Sequence, residues 1–206
     1  AERLLQNNTL GAIRFVRASI SGSEAARIKS HASWVGSPEN QGVLLDSGVH
    51  TFYLLRWLFG GVQDIQAFTY KILPESQVED HACAFGHLAN GAVFETTQSC
   101  IIEAPWTERL EIHGSLGSLI IDQLANPPAI HFKGPDDIEG TPLTSVPYEP
   151  LAWKYLSIVA EVQDFVHAIT ENRPPIINPH YAHHAIQVVE AAYKSITLIS
   201  VINPTS

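Results

Sequence analysis

The stretch "VLLDSGVHTFYLLRWLFG", Val43 to Gly60, reads as an apolar helix carrying two polar residues, Asp46 and His50. They stand four apart, so on a helix they share one face. The double glycine Gly60-Gly61 supplies the stop signal. Two chemistries fit the pair. An Asp near a helix N-terminus favours the helix dipole, and a hydrogen-bonded His can simply be part of the packing. Equally, Asp46 can orient an imidazole and stabilise its charged form, which makes His50 a candidate general acid/base. Tyr53 and Trp57 extend the same face and would wall a pocket for a small polar ring.

Upstream, "AERLLQNN" reads as the tail of a helix and "GAIRFVRASIS" (Gly11 to Ser21) as a strand rich in β-branched and aromatic residues. Between Ser21 and Gly42 runs a polar Gly- and Ser-containing connection, too long for a simple turn and therefore a candidate functional loop. Downstream, "VQDIQAFTYKIL", "EDHACAFGHL", "AVFETTQSC", "TERLEIHGS", "GSLIID" and "AIHFKG" are strand-like. From Lys154 the period becomes helical, in "YLSIVAEVQDFVHAITEN" and "HYAHHAIQVVEAAYKSITLISVI", parted by the turn "RPPIINP". The order predicts one α+β domain over residues 1–206, an open, mostly antiparallel sheet with helices packed on one face.

Asn90-Gly91 is a strong hairpin signal. A two-residue turn there sets Leu88 opposite Val93, Phe85 opposite Thr96 and His81 opposite Cys100. His81, Cys83, Phe85 and His87 would then share a face with Phe94, Thr96, Gln98 and Cys100. Cys83 and Cys100 become diagonal neighbours roughly 7 Å apart, poorly placed for a disulfide. A soft-metal site from His81, Cys83 and Cys100 competes with a packed interface face, and the packed face is the expectation. His180 and His184 also share a helical face, but no third ligand stands near them, so they read as partly exposed helix-start histidines. No metal is expected.

Composition narrows the function. The chain has 206 residues, 12 basic against 21 acidic, for a net charge of −9, and no basic run offsets it. Nucleic-acid binding is therefore set aside. Two cysteines cannot build a disulfide framework, and with no signal peptide in view the expectation is a reduced, cytoplasmic setting. The most apolar stretch, residues 185–202, is interrupted by Gln187, Glu190, Lys194 and Thr197, which argues against a membrane span. No G-x-G-x-x-G or G-x-x-x-x-G-K run occurs, so the chain alone is expected to hold no nucleotide. Methionine is absent throughout, for which the sequence offers no physical reason.

The helix, with its flanks, resembles the C-terminal domain of the Gfo/Idh/MocA family of NAD(P)-dependent oxidoreductases. The residues that carry the likeness are Gly42, Asp46, Gly48 and His50 in the family's Gly-x-x-x-Asp-x-Gly-x-His order. "LLQNNTLGAIRFVRA", "NGAVFETTQS", "ERLEIHGSLGSLIID" and "AIQVVEAAYKS" follow the family's other elements in sequence. The resemblance implies His50 as acid/base, with Asp46 as its partner and as acceptor for a substrate hydroxyl. Tyr53 stands where an Asp is frequent, and Trp34-Val35 where a Trp-Arg pair is common. Both Tyr53 and Trp34 are candidate substrate-binding residues, and these departures bear on the substrate more than on the fold.

The resemblance also implies NAD or NADP in the parent protein, held by an N-terminal domain this chain lacks. It further implies a sugar, cyclitol or oxo-sugar substrate, and a homodimer or dimer of dimers built through the sheet face. Two alternatives stay open: a binding or assembly module that has lost activity, and an NAD-using, glycosidase-type member of the family.

Overall fold

A computed structural model describes residues 1–30, 34–122, 124, 129–137, 140–143 and 150–196. A short helix α1 (Glu2–Gln6) leads to β1 (Ile13–Ser21). The long connection is not wholly irregular: it contains α2 (Ala25–Lys29), which no periodic signal announces. Next come α3 (Val43–Asp46), α4 (Gly48–Phe59), and the strands β2 (Val62–Tyr70), β3 (His81–Leu88), β4 (Val93–Ser99), β5 (Thr107–Gly114), β6 (Ser118–Asp122), β7 (Ala129–Lys133) and β8 (Thr141–Pro142). Helices α5 (Pro150–Thr170) and α6 (Pro179–Ile196) follow. The last part of the expected final helix, residues 197–202, lies outside the described residues.

The strands form one eight-stranded sheet in the order β2-β3-β4-β1-β5-β6-β7-β8. Every neighbouring pair is antiparallel except β1 and β4, which run parallel. The first strand, β1, is inserted between β4 and β5, parallel to the former and antiparallel to the latter. The fold is thus α+β with an open, mostly antiparallel sheet. Helices α4 and α6 pack on each other, and α6 also packs over β2. The main core forms where they meet the sheet, around Val16, Leu44, Phe52, Leu55, Phe94, Ile112, Leu119 and Val189. Phe52 is fully buried there. Truncating such a side chain to Ala typically costs about 3–5 kcal/mol.

Two sequence expectations need correcting. The single helix over 43–60 is two pieces, because Ser47 (φ −103°, ψ −34°) departs from regular helix geometry. Its stop is as expected: Gly60 adopts φ +86° and its N–H returns to the Arg56 carbonyl.

The hairpin turn holds three residues, not two. Leu88 N–H donates to the Ala92 carbonyl and Gly91 N–H to the Leu88 carbonyl, both at 2.8 Å. Gly91 takes φ +84°, the left-handed position such loops reserve for glycine. The register therefore slips by one, pairing His87 with Val93, Phe85 with Glu95, Cys83 with Thr97 and His81 with Ser99. A one-residue slip turns the partner strand over. Phe94, Thr96 and Gln98 go inward with Ala82, Ala84 and Leu88, while Phe85 and Val93 are exposed on the open face. Cys83 Sγ lies 3.4 Å from His81 Nε2 and 3.8 Å from Thr97 Oγ1. Cys100 is buried, its thiol directed to the Asp80 carbonyl at 3.5 Å. Of the soft-metal trio, His81 and Cys83 stay in contact while Cys100 is turned inward, away from them. Among the described residues no group of three or more His, Cys, Asp or Glu is arranged to hold a metal.

Candidate functional site

Helix α4 turns Gly48, Thr51, Phe52, Leu55 and Phe59 into the core and leaves His50 and Trp57 exposed. A cavity of about 480 Å³ opens beside this helix. His50, Tyr53 and Trp57 wall one side, and Ser19 and Ile20 of β1 with Arg109 and Leu110 of β5 wall the other. The face predicted from the 50, 53, 57 spacing is therefore a single wall. The cavity is largely apolar with polar groups at few points, the usual make-up of a small-molecule site. Tyr53 is fixed within it: its hydroxyl accepts from Asn178 N–H at 3.3 Å and its ring meets Tyr181 edge-on at 6.0 Å. Trp34 is half exposed and does not line this cavity.

Asp46 looks elsewhere. It ends α3, and its carboxylate accepts from Arg27 of α2 at 2.9 Å. Arg27 also pairs with Glu24 at 2.7 Å. Burial works against the Arg27 charge, but the two carboxylates outweigh it and hold the guanidinium above its ordinary value. Asp46 borders a small recess with Val35, Cys100 and Trp106, separate from the cavity that His50 lines. Among the described residues no hydrogen bond joins Asp46 to His50.

The turn that launches α3 rests on Glu79, buried at 8% exposure. Its Oε1 accepts from Gly42 N–H at 3.1 Å and Leu44 N–H at 3.3 Å, and its backbone carbonyl accepts from Val43 N–H at 3.1 Å. Gly42 is required there, since a Cβ would come within 2.0 Å of the Glu79 carbonyl oxygen. Tyr193 of α6 donates its hydroxyl to the same Oε1. Neither Arg27 nor Glu79 carried a sequence signal. Arg27 sits in a connection without periodicity, and Glu79 reads as the lead-in to a strand.

The distal histidine also has a structural task. His184 Nε2 accepts from Val62 N–H at 3.2 Å, fastening α6 to the start of β2. Burial foremost, then the charges of Arg56 and His183, push its pKa below the ordinary 6.5.

Across the sheet, the open face carries a ladder of charge. Arg17 pairs with Glu95 and lies 3.5 Å from Glu111, which also accepts from Arg109 at 2.8 Å. Burial raises the Glu111 carboxyl, but the Arg109 hydrogen bond and the two arginine charges outweigh it and hold it below its usual range. No helix among the described residues is long and apolar enough to cross a membrane.

The backbone N–H groups of Gly42, Val43 and Leu44 that open α3 are all taken by Glu79.

Comparison with known proteins agrees with this architecture. A family model described as the GFO/IDH/MocA C-terminal domain matches residues 1–120. No curated protein sequence matches. Among solved structures, levoglucosan dehydrogenase in complex with NADH and L-sorbose superposes with a TM-score of 0.82 at 19% identity, over 96% of this chain and 60% of that one. An oxidoreductase domain protein from Kribbella flavida gives 0.78 at 21% identity, over 96% and 60%. The WlbA dehydrogenase from Bordetella pertussis, in complex with NADH and UDP-GlcNAcA, gives 0.74 at 16% identity, over 95% and 57%. This chain thus spans about three fifths of the length of those structures. With more than half of its residues matched by the family model, the chain belongs to the GFO/IDH/MocA family, as a C-terminal domain.

Proposed function

We propose that residues 1–206 form the substrate and oligomerisation domain of an NAD(P)-dependent oxidoreductase acting on a sugar, cyclitol or oxo-sugar. The observation that carries this reading is His50, an exposed imidazole on the wall of a cavity large enough for a monosaccharide, inside the family's signature helix. Levoglucosan dehydrogenase and WlbA, similar in fold, are both described with NADH and sugar-type ligands. The nicotinamide, which accepts or returns the hydride, belongs to a nucleotide-binding domain outside this chain.

This chain's part is binding and the proton. His50 takes the proton from a substrate hydroxyl in oxidation and gives it back in reduction. Trp57 and Tyr53 supply flat walls against which a sugar ring lies, with Ile20 and Leu110 opposite them across the cavity. Asp46, anchored by Arg27, holds the last turn of α3. Enclosure between two domains supplies the proximity that such a reaction needs.

The test is turnover of the intact gene product with NAD and NADP against a panel of sugars and cyclitols, with and without His50→Ala. Activity that falls sharply in the variant supports the reading, and activity unchanged by it removes His50 from the chemistry. A second reading, a binding module without catalysis, is favoured by one feature: Asp46 is bound to Arg27 and not to His50. Tight sugar binding without dinucleotide reduction by the intact product would select it.

A further inference from the structure

We infer that Glu79 is the positioning residue of the Asp46–His50 segment, its buried carboxylate tying the start of α3 to Tyr193 of α6. This rests on the reading of His50 as the acid/base group. A carboxylate buried at 8% exposure is costly unless its charge is met. Among the described residues no cation pairs with Glu79. Its partners are the Gly42 and Leu44 amides and the Tyr193 phenol. With the Val43 amide on the Glu79 carbonyl, three successive N–H groups at the head of α3 end on one residue. That is a cap made from a distant strand lead-in, 37 residues away along the chain from Gly42. Burial first, then the Glu79 charge, raises the Tyr193 pKa above its ordinary 10, so the phenol remains a donor.

The consequence is angular. Helix α3 spans four residues, about 6 Å from its cap to Ser47, which leads into the turn of α4 that carries His50. A tilt of about 10° at the cap would displace that junction by about 1 Å. Productive geometry tolerates roughly 0.5 Å. Helix α4 itself is held by the burial of Phe52 and Leu55. Loss of the cap therefore acts on α3 and the first turn of α4 before it acts on the fold.

Three variants test this on the 206-residue chain by NMR: Glu79→Leu removes the acceptor, Glu79→Gln retains one, and Tyr193→Phe deletes only the tie to α6. In Glu79→Leu, hydrogen exchange at the Gly42 and Leu44 amides should quicken tenfold or more. The Asp46 carboxyl and His50 ring resonances should move while those of Phe52 and Leu55 stay. Glu79→Gln should restore most of the native pattern, a rescue that a general loss of stability would not show. His50 and Asp46 resonances unmoved in Glu79→Leu overturn the inference. If that variant does not fold, Tyr193→Phe decides: a smaller shift in the same direction supports it, and no shift overturns it.

In the intact gene product the same substitution should lower kcat tenfold or more with KM for the dinucleotide unchanged. Resonances that move while both Glu79→Leu and His50→Ala leave turnover intact would keep the positioning role and discard the acid/base reading. Resonances that move while only His50→Ala lowers turnover would overturn the catalytic consequence of the cap and keep the acid/base reading.

Discussion

At the scale of single residues, the proposed chemistry rests on one exposed imidazole, His50, on the cavity wall. His50, Tyr53 and Trp57 follow helical spacing, and they do form one wall. Asp46 obeys the same spacing and turns away, because Ser47 interrupts the helix between it and His50 and because Arg27 reaches it from α2. Arg27 is 19 residues from Asp46 in a stretch without periodicity, so nothing local announces the pair. In the intact gene product His50→Ala should lower turnover by about two to four orders of magnitude, the usual contribution of a general acid/base. Steady-state kinetics on a variant with an unchanged melting temperature checks this. His184 allows a second test. A base whose folded pKa lies below its unfolded value binds fewer protons when folded, so stability rises with pH across that interval. The His184 contribution should be full above pH 6.5 and fade as pH falls toward the depressed folded value. Urea midpoints between pH 8 and 5 should fall more for the native chain than for His184→Gln. Parallel profiles would show that the Val62 contact does not depend on a neutral ring.

Elements were legible wherever their period is long and regular. The strands from β1 to β7 and the two late helices lie where alternation and the 3.6-residue period put them. The miss came from the turn. "ANG" can close a two-residue or a three-residue loop, and only the second places Gly91 at the left-handed position of a bulge. One residue of loop length decides which face every β4 side chain occupies. The register has a chemical signature in the two cysteines. Cys83 lies on the partly exposed side. Cys100 is inside, and burial with the nearby Asp80 charge pushes its thiol up to about 12. A thiol reacts as its thiolate, so a buried group with that pKa is inert. Titration of the native chain with a thiol reagent at pH 8 should modify Cys83 and spare Cys100, and both should react in denaturant. Rapid native labelling of Cys100 would contradict the inward placement.

For the whole molecule, the placement of apolar surface separates two functions of the surface. The sequence holds no Gly-rich phosphate-binding run, so calorimetric titration with NAD and with NADP is expected to show no saturable heat in the micromolar range. Such heat would overturn the proposed division of labour between this domain and a nucleotide-binding one. Among the described residues, exposed apolar side chains gather in two places that bear on association. One is α5, where Ile158, Val162, Phe165 and Ile169 face water. The other is the open sheet face, where Phe85 at 49% and Val93 at 42% exposure flank the ladder of Arg17, Glu95, Glu111 and Arg109. A monomeric antiparallel sheet normally shows water a polar face. Here aromatic and aliphatic groups alternate with charges of both signs, a pattern that a two-fold copy can match by setting each arginine against a carboxylate. We therefore expect self-association through the sheet, and α5 to take no part in it. Phe85→Glu adds a charge within the expected contact, whereas Phe165→Glu adds one to α5. Both sites are exposed, so neither change should cost more than about 0.5 kcal/mol of folding stability. Sedimentation equilibrium on the 22.6 kDa chain should show a dimer or larger assembly at tens of micromolar. Phe85→Glu should shift it toward monomer and Phe165→Glu should not. A stable native monomer at that concentration, or dissociation by Phe165→Glu alone, would remove the sheet face as the interface.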